Sequence, residues 1–296
     1  MQDQLIKGIF NSGNVLIYVA TSTNLVEAAR QAHDLWPTSS AALGRTLTIG
    51  AILGKTLKNE GEKITIQING GGPIGTILVD ANSNGDVRGF VGDPHLAMTY
   101  QENGKLAVGT AVGKDGYLKV SKDISLKSEF TGTVALVSGE IGEDFAYYFS
   151  LSEQTPSAVS LGVLVANDNS VLAAGGILLQ LLPGATEADL KLAENIVANL
   201  PPVSSLVASG KSALDIINSL KQEINILETS SIRFFCDCSK ERFQQSLKVL
   251  ELNDLKEMID DMSGTEVVCN YCNKHYHFTQ KELEAIYHEK LADQKH

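Results

Sequence analysis

The sequence predicts an α+β fold with an N-terminal domain of mixed sheet and helix, a helical linker and a small C-terminal domain. Three observations predict it. Apolar and polar residues alternate between glycine-rich turns in residues 1–182, which is typical of β-meanders rather than of a βαβ series. Helical patterns broken by Pro and Gly fill residues 183–230. Residues 231–296 then carry 21 charged residues in 66 positions, against 38 in the preceding 230.

The first elements alternate between strand and helix. Residues 15–19 are rich in β-branched side chains and predict a strand. Ser22 or Thr23 is expected to cap a helix over residues 24–33. Residues 39–57, rich in Ala, Leu, Ile and Gly, predict a closely packed helix.

A series of hairpins is expected to follow from residue 63 onward. The runs KITIQI, GTILVD and DVRGFVG are separated by the turns NGGGP and NSNG, and Gly and Asn are the residues that tight hairpin turns require. The remaining predicted elements are strands at 106–112, 117–120, 132–137, 158–166 and 171–182, and a helix at 140–152.

The expected linker begins after the break LLPGA at residues 181–185. Its apolar stripes are moderate and its helices are interrupted by Pro201-Pro202 and Gly210, so we expect little independent stability. We expect it to dock on the N-terminal domain only while the C-terminal domain supports it. Its predicted helices span 187–199, 203–208 and 212–226.

The C-terminal domain is expected to be a short α+β unit. An extended piece, IRFFCDCS, precedes helices at 240–250 and 253–262. The run EVVCNYCNKHYHF predicts a hairpin. A last helix follows, and Thr279 with Glu282 fits a capping box at its start.

Composition and charge favour a cytosolic protein. The chain has a net charge of −11 and 43% apolar residues. An acidic chain repels nucleic acid and anionic membranes, so we expect neither as a partner. We also expect no secretory signal or membrane helix, because MQDQLIKGIFNSGN lacks the pattern of a signal peptide and no apolar run reaches about 20 residues.

The four cysteines form two closely spaced pairs. Cys236 and Cys238 make a C-x-C motif, thirty residues follow, and Cys269 and Cys272 make a C-x-x-C motif. In an extended strand, residues i and i+2 point to the same face, and a C-x-x-C in a tight turn brings its two sulfurs together. Four thiolates form a closed tetrahedral zinc site. We therefore predict one Zn²⁺ per chain in the reduced protein.

Other interpretations of these motifs are weaker or stay open. A thioredoxin-like C-x-x-C would open a helix in a βαβ unit, whereas the following NKHYHF alternates like a strand. His275 and His277 could replace a ligand, but four sulfurs already close the site, so we interpret them as solvated hairpin residues. Arg233, Lys240 and Lys274 either offset the charge of four thiolates or serve solubility.

The residues alone leave two roles open for the metal. A domain of 66 residues has a marginal core. Zinc binding of about 10–16 kcal/mol rivals the stability of a whole domain, about 5–15 kcal/mol. Loss of zinc should therefore unfold residues 231–296 while residues 1–182 stay folded. Zinc-bound thiolates remain targets for oxidants, so the site is either structural or a redox switch.

No catalytic motif is convincing, and we predict that the chain is not an enzyme. GAILGKT at 50–56 has its glycines one residue too close for a phosphate-binding P-loop. NGGGP lacks the context of a dinucleotide-binding fold. Glu140, Glu143 and Asp144 share a face of one predicted helix, which we interpret as solvated. No Ser-His-Asp order or nucleophile elbow is present.

Several long runs resemble the heat shock protein 33 family, the redox-regulated 33-kDa chaperonins. These runs extend across almost the whole chain, and the paired cysteine motifs have the family's spacing. They are DVRGFVGDP (86–94), GEIGEDFAYYFSLSEQTPSAVSLGV (139–163), GGILLQLLPGA (175–185), RFFCDCSKER (233–242) and VVCNYCNKHYHF (267–278).

The resemblance implies an ATP-independent holdase of the bacterial cytosol that acts in the oxidative stress response. Zinc bound to Cys236, Cys238, Cys269 and Cys272 would keep the reduced protein inactive. Oxidants would form the disulfides Cys236–Cys238 and Cys269–Cys272, release the zinc and unfold the C-terminal domain and linker. The exposed apolar surface would bind unfolding client proteins, and the active form would be a homodimer.

Two other classes of function compete with this one. A zinc module that binds nucleic acid would need a basic patch, but residues 231–296 carry a net charge of −3, from 9 Lys and Arg and 12 Asp and Glu. An oxidoreductase would need a cofactor motif, and the sequence shows none. Aggregation suppressed only after oxidation would favour the chaperone.

Overall fold

The computed structural model describes residues 2–10, 12–100, 102, 105–124, 130–261 and 264–293. These residues form two compact units, Met1–Phe235 and Cys236–His296. The predicted α+β class is confirmed. Residues 183–230 belong to the first unit. The three-part division at residues 182 and 230 stays a prediction.

The first unit combines strands and helices in the following order. The elements are β1 (Gln4–Phe10), β2 (Val15–Thr21), α1 (Thr23–His33), α2 (Pro37–Gly54), β3 (Lys63–Asn69), β4 (Ile77–Asn82), β5 (Asp86–Val91), α3 (Val108–Val112), β6 (Tyr117–Asp123), β7 (Phe130–Ala135), α4 (Gly142–Leu151), β8 (Ser157–Val165), β9 (Val171–Leu181), α5 (Glu187–Asn199), α6 (Val203–Ala208), α7 (Ala213–Ser219), β10 (Ile224–Ser231) and β11 (Arg233–Phe234).

Two sheets carry this unit. The first is antiparallel with the order β10-β1-β2-β9-β8, and the second has the order β11-β5-β4-β3-β6-β7. Only the short β11 runs parallel to its neighbour, β5. Helix α2 packs against strands of both sheets, and its residues 38–44 and 46–54 are buried. The main hydrophobic core therefore surrounds α2.

Small residues in α2 allow this close packing. A Cβ atom on Gly44 would lie 2.6 Å from Cγ1 of Val26, and one on Gly50 would lie 2.9 Å from Cγ1 of Val79. Real Cβ atoms do not approach other carbons so closely, because interiors are packed to crystal-like density. The glycine content of the helix is thus explained by its neighbours.

The linker residues cover the other face of the first sheet. Helices α5, α6 and α7 bury an apolar cluster against β1, β2 and β9. Thr186 and Ser212 begin α5 and α7 with capping boxes. Because β9 and β10 lie in the same sheet, the three helices are anchored at both ends of the linker.

Two sequence predictions in this unit are wrong, and strands β1 and β10 were missed. Residues 212–226 are not one helix, since α7 ends at Ser219, Lys221 adopts a left-handed φ of 54° and β10 follows. Residues 106–112 were predicted as a strand, but α3 occupies 108–112. Strand β1 lies before the first predicted element. Its Gly8 lies at a bulge, where a Cβ atom would be 2.7 Å from Cγ2 of Ile224.

The second unit is small and builds its own core. Its elements are α8 (Lys240–Leu247), α9 (Leu252–Asp260), β12 (Thr265–Val268), β13 (His275–Phe278) and α10 (Gln280–Asp293). The predicted hairpin and helices are confirmed with small shifts of their ends, although residue 262 at the end of one predicted helix lies outside the described residues. Five fully packed side chains form the centre of the core: Leu247, Leu255, Phe278, Leu283 and Ile286.

Candidate metal centre

The local backbone brings the two cysteine pairs together. Cys236 and Cys238 lie in a segment without regular secondary structure that ends at Ser239, the N-cap of α8. Cys269 and Cys272 lie in the turn between β12 and β13. The Cys269 carbonyl accepts hydrogen bonds from the backbone of Cys272 at 3.3 Å and of Asn273 at 2.7 Å. The left-handed φ of Asn273, 57°, lets the chain reverse there.

The four sulfur atoms form one compact group. All lie within 4.8 Å of one another. The Sγ atoms of Cys236 and Cys269 are 3.8 Å apart, and those of Cys238 and Cys272 are 3.3 Å apart. Zn–S bonds of about 2.3 Å in a tetrahedron separate sulfurs by about 3.8 Å. The donor set and its spacing therefore fit a zinc ion, and these four thiols are the residues that could hold one.

The four thiols differ in their surroundings. Cys236, Cys269 and Cys272 are buried, whereas Cys238 is half-buried. Burial raises the pKa of the Cys272 thiol, and hydrogen bonds with the other thiols raise it further. Burial also acts on Cys238, but hydrogen bonds from Tyr276 and the other cysteines outweigh it, so its pKa lies below the usual range.

Tyr276 is a neighbour of the cluster that sequence reasoning missed. Its hydroxyl lies 3.2 Å from the sulfur of Cys238 and donates to the carbonyl of Cys238 at 2.9 Å. The hydrogen bond with Cys238 raises the pKa of the Tyr276 hydroxyl. The alternation in NKHYHF indicates that residues 276 and 278 share one face of β13, but it does not indicate the contact with Cys238.

Two of the basic residues that lie near the cysteines in the sequence have carboxylate partners. Lys240 pairs with Glu282 at 2.6 Å, and Arg233, in the first unit, pairs with Asp86 at 2.6 Å. His275 Nδ1 lies 3.2 Å from Glu266 and is exposed. In the described part of the chain, the compact group of potential metal ligands contains the four cysteines and no histidine.

The acidic residues at the start of α4 are not a solvated face, so that interpretation is wrong for two of the three. The buried Asp144 accepts backbone N–H groups of residues 137, 138, 139 and 141 at 2.7–3.3 Å. Glu140 accepts hydrogen bonds from Arg45 and Tyr100, both at 2.7 Å. Glu143 is exposed, as expected. These carboxylates stabilise the turn before α4, and their partners leave no acid–base pair poised for catalysis among them.

Comparison with known proteins settles the family. The family model described as Hsp33 protein matches residues 3–279. The chain belongs to the heat shock protein 33 family. A 33 kDa chaperonin of Geobacillus sp. (strain WCH70) is 46% identical over 297 residues, with all of both chains covered. A 33 kDa chaperonin of Desulforamulus reducens is 46% identical over 288 residues, 97% of each chain.

The fold of this heat shock protein 33 family member agrees with a solved structure. The crystal structure of the 33 kDa chaperonin from Thermotoga maritima matches with a TM-score of 0.91 and 35% identity. The match covers 99% of this chain and all of the other. Among the described residues, no helix combines the length and the apolar composition needed to cross a bilayer.

Proposed function

We propose that this chaperone is an ATP-independent holdase controlled by thiol oxidation. The observation that carries the proposal is the convergence of Cys236, Cys238, Cys269 and Cys272 within 4.8 Å in a unit with a very small core. Its relatives are named chaperonins, which supports binding of unfolded proteins rather than an enzymatic reaction. The resting state is the reduced protein.

In the reduced state the four thiolates hold the second unit together. Cys236 and Cys238 before α8, and Cys269 and Cys272 between β12 and β13, would hold a Zn²⁺ ion, which would supply the positive charge that keeps four thiolates close. The five-residue apolar core alone is small for a domain of this length. The cysteines therefore act as the main support of the unit.

Oxidation removes that support. In each pair, two thiolates give two electrons to hydrogen peroxide and form an S–S bond. With two protons from the solvent, the peroxide is reduced to two water molecules. We assign the bonds to Cys236–Cys238 and Cys269–Cys272. In the folded unit the sulfurs of Cys236 and Cys269 are 3.8 Å apart and those of Cys238 and Cys272 are 3.3 Å apart, but this other pairing needs the fold to persist. Local closure is favoured once the unit loosens, because the entropic cost of closure grows with loop length.

Client binding follows from the loss of structure. Residues 183–230 bury an apolar cluster against the first sheet. Their release would expose the apolar side chains of the linker and those of the sheet. An exposed apolar patch of this kind is typical of a protein interaction site. The three-part division of the chain is thus a core, residues 1–182, a redox-sensitive linker, 183–230, and a switch domain, 231–296. The clients are unfolding proteins of the cytoplasm, and the active species is a homodimer.

Paired measurements on reduced and peroxide-treated protein test the proposal. Reduced protein should contain one zinc per chain and should not suppress aggregation of a heat-unfolded enzyme. Treated protein should lose the zinc, suppress aggregation without ATP and elute as a dimer. Equal activity in both states would contradict redox control. Binding of nucleic acid or of anionic vesicles should be absent in both states.

Peptide mapping without reductant tests the disulfide assignment. The expected peptides contain Cys236 linked to Cys238 and Cys269 linked to Cys272. A dominant Cys236–Cys269 or Cys238–Cys272 link would refute the assignment and would show that the oxidised unit stays compact. A variant with Ser at all four positions provides the background signal.

A further inference from the structure

Tyr276 contacts Cys238 through a single oxygen atom. Its hydroxyl donates to the Cys238 carbonyl at 2.9 Å and lies 3.2 Å from the Cys238 sulfur. Both acceptors belong to the same residue, so the contact constrains the main chain and the side chain of Cys238 together. Four sulfur ligands complete a tetrahedral site without it, and this contact therefore needs a separate explanation.

The tyrosine ring is positioned by apolar packing outside the cysteine motifs. Its centroid lies 5.1 Å from that of Phe243 on α8, and the side chain packs against the apolar core of the second unit. Phe278, two residues along β13, is fully buried and fixes the strand. The hydroxyl is therefore presented to Cys238 by packing from outside the cysteine motifs.

The direction of the hydrogen bond follows from the chemistry of the thiolate. A cysteine that ligates a metal has no proton to give, whereas a tyrosine hydroxyl donates one. The Tyr276 proton is then shared between the Cys238 sulfur and carbonyl oxygen. A hydrogen bond withdraws negative charge from the sulfur and makes it less nucleophilic. Of the four cysteines, Cys238 is the half-buried one, so this sulfur is the most open to a dissolved oxidant.

We propose that Tyr276 is a positioning residue of the cysteine cluster. Its hydroxyl holds Cys238 in place as a ligand and restrains the attack of that sulfur on peroxide. The inference rests on the proposed function, since it presumes a metal held by the four thiolates. Partners of metal ligands typically contribute 10–100-fold to metal affinity, and we expect a change of that order here.

The substitution Tyr276→Phe tests this role because it keeps the ring and its packing on Phe243 and removes only the hydroxyl. Competition with a chromogenic chelator should show zinc affinity lowered about 10–100-fold. Mass spectrometry should show faster peroxide oxidation of Cys238. Tyr287→Phe is the matched control, because it removes a hydroxyl from the same small core at α10. It should leave both quantities unchanged.

Cobalt(II) gives a readout that a purely structural role would not move. Without the hydrogen bond, the sulfur lone pairs rise in energy, and the thiolate-to-cobalt charge-transfer band of Tyr276→Phe should shift to longer wavelength. A fluorinated tyrosine at position 276 is a stronger donor and should shift the band the opposite way. This second variant keeps the ring and the hydroxyl, so it addresses the case in which Tyr276→Phe folds poorly.

The outcomes separate this inference from the proposed function. If wild-type protein binds zinc through four sulfurs, but both variants keep the wild-type band and bind zinc within twofold of wild type, Tyr276 has no positioning role and the proposed function stands. If wild-type protein shows no four-sulfur site, both proposals are overturned.

Discussion

Replacing Ile216 with alanine should activate the reduced chaperone without any oxidant. Ile216 lies on α7, has no exposed surface and belongs to the cluster that the linker buries against the first sheet. The substitution weakens the docked state. It leaves the four cysteines and their unit unchanged, so it separates release of the linker from the thiol chemistry.

The size of the effect follows from the burial. The change removes three carbon atoms, and each buried methylene contributes about 0.8 kcal/mol. The cavity that remains adds to this loss, so a buried Ile→Ala change typically costs about 2–5 kcal/mol. A tenfold change in an equilibrium corresponds to about 1.4 kcal/mol. The undocked population should therefore rise about 30-fold to several thousand-fold.

Two measurements on reduced, zinc-loaded protein check this result. Light scattering of a heat-unfolded enzyme should fall in the presence of Ile216→Ala, and hydrogen exchange should accelerate in residues 187–220. Ile66→Ala is the matched control. Ile66 is equally buried, but it belongs to the core around α2, so its loss should lower stability without activating the protein.

Either of two results would refute the reasoning. If exchange accelerates in residues 187–220 but aggregation is not suppressed, the released linker surface does not bind clients. If Ile66→Ala activates the reduced protein as strongly as Ile216→Ala, general destabilisation of the first unit, rather than release of the linker, controls activity.

Three further predictions concern stability. Burial raises the pKa of Asp3 from 3.8 to about 6 and outweighs the hydrogen bonds from Leu25 and Asn24, which lower it. The stability gained by keeping Asp3 protonated in the folded protein is complete below pH 3.8 and is lost as pH rises through 6. Relative to Asp3→Asn, wild-type protein should lose about 3 kcal/mol of unfolding free energy between pH 3.8 and 7. Asp144→Ala leaves buried N–H groups without their acceptor and should cost about 3 kcal/mol or more in urea unfolding. Chelation of the metal should remove hydrogen-exchange protection from the second unit and spare β1 to β9, which lie within residues 1–182.

Each of these has a result that contradicts it. Parallel pH profiles of the unfolding free energy for wild type and Asp3→Asn would show that protonation of the buried carboxyl does not affect stability. Glu143→Ala, at the exposed neighbour of Asp144, should change stability by less than about 0.5 kcal/mol, and an equal loss in both variants would point to helix propensity instead. Protection that persists in the second unit after chelation would mean that its apolar core suffices.

The sequence predicted those parts of the fold that depend on local patterns. The hairpins of the second sheet alternate strictly, with buried and half-buried positions in turn along β4 and β5. The turn chemistry of the C-x-x-C motif and the capping box of Thr279 and Glu282 were also recognisable. Thr279 donates to Glu282 at 2.9 Å from its side chain and at 2.8 Å from its backbone.

The errors occurred where distant contacts decide the structure. The run around α3 is apolar and β-branched, but its Gly109 N–H donates to Glu140, 31 residues away. Strand β10 exists because β1 provides an edge for it, more than 200 positions earlier. Tyr276 could not be linked to Cys238 by spacing alone, since 38 residues separate them. Such pairings become visible only when the chain is folded.

The pairing of β1 with β10 also constrains how the protein is made. Residues 4–10 leave the ribosome early, but their partner, residues 224–231, is among the last parts of the first unit to be translated. At about 5–20 residues per second, the outer edge of β1 lacks its native neighbour for roughly 10–45 seconds. An open strand edge can pair with other chains. A member of a chaperone family therefore passes through such an exposed stage during its own synthesis.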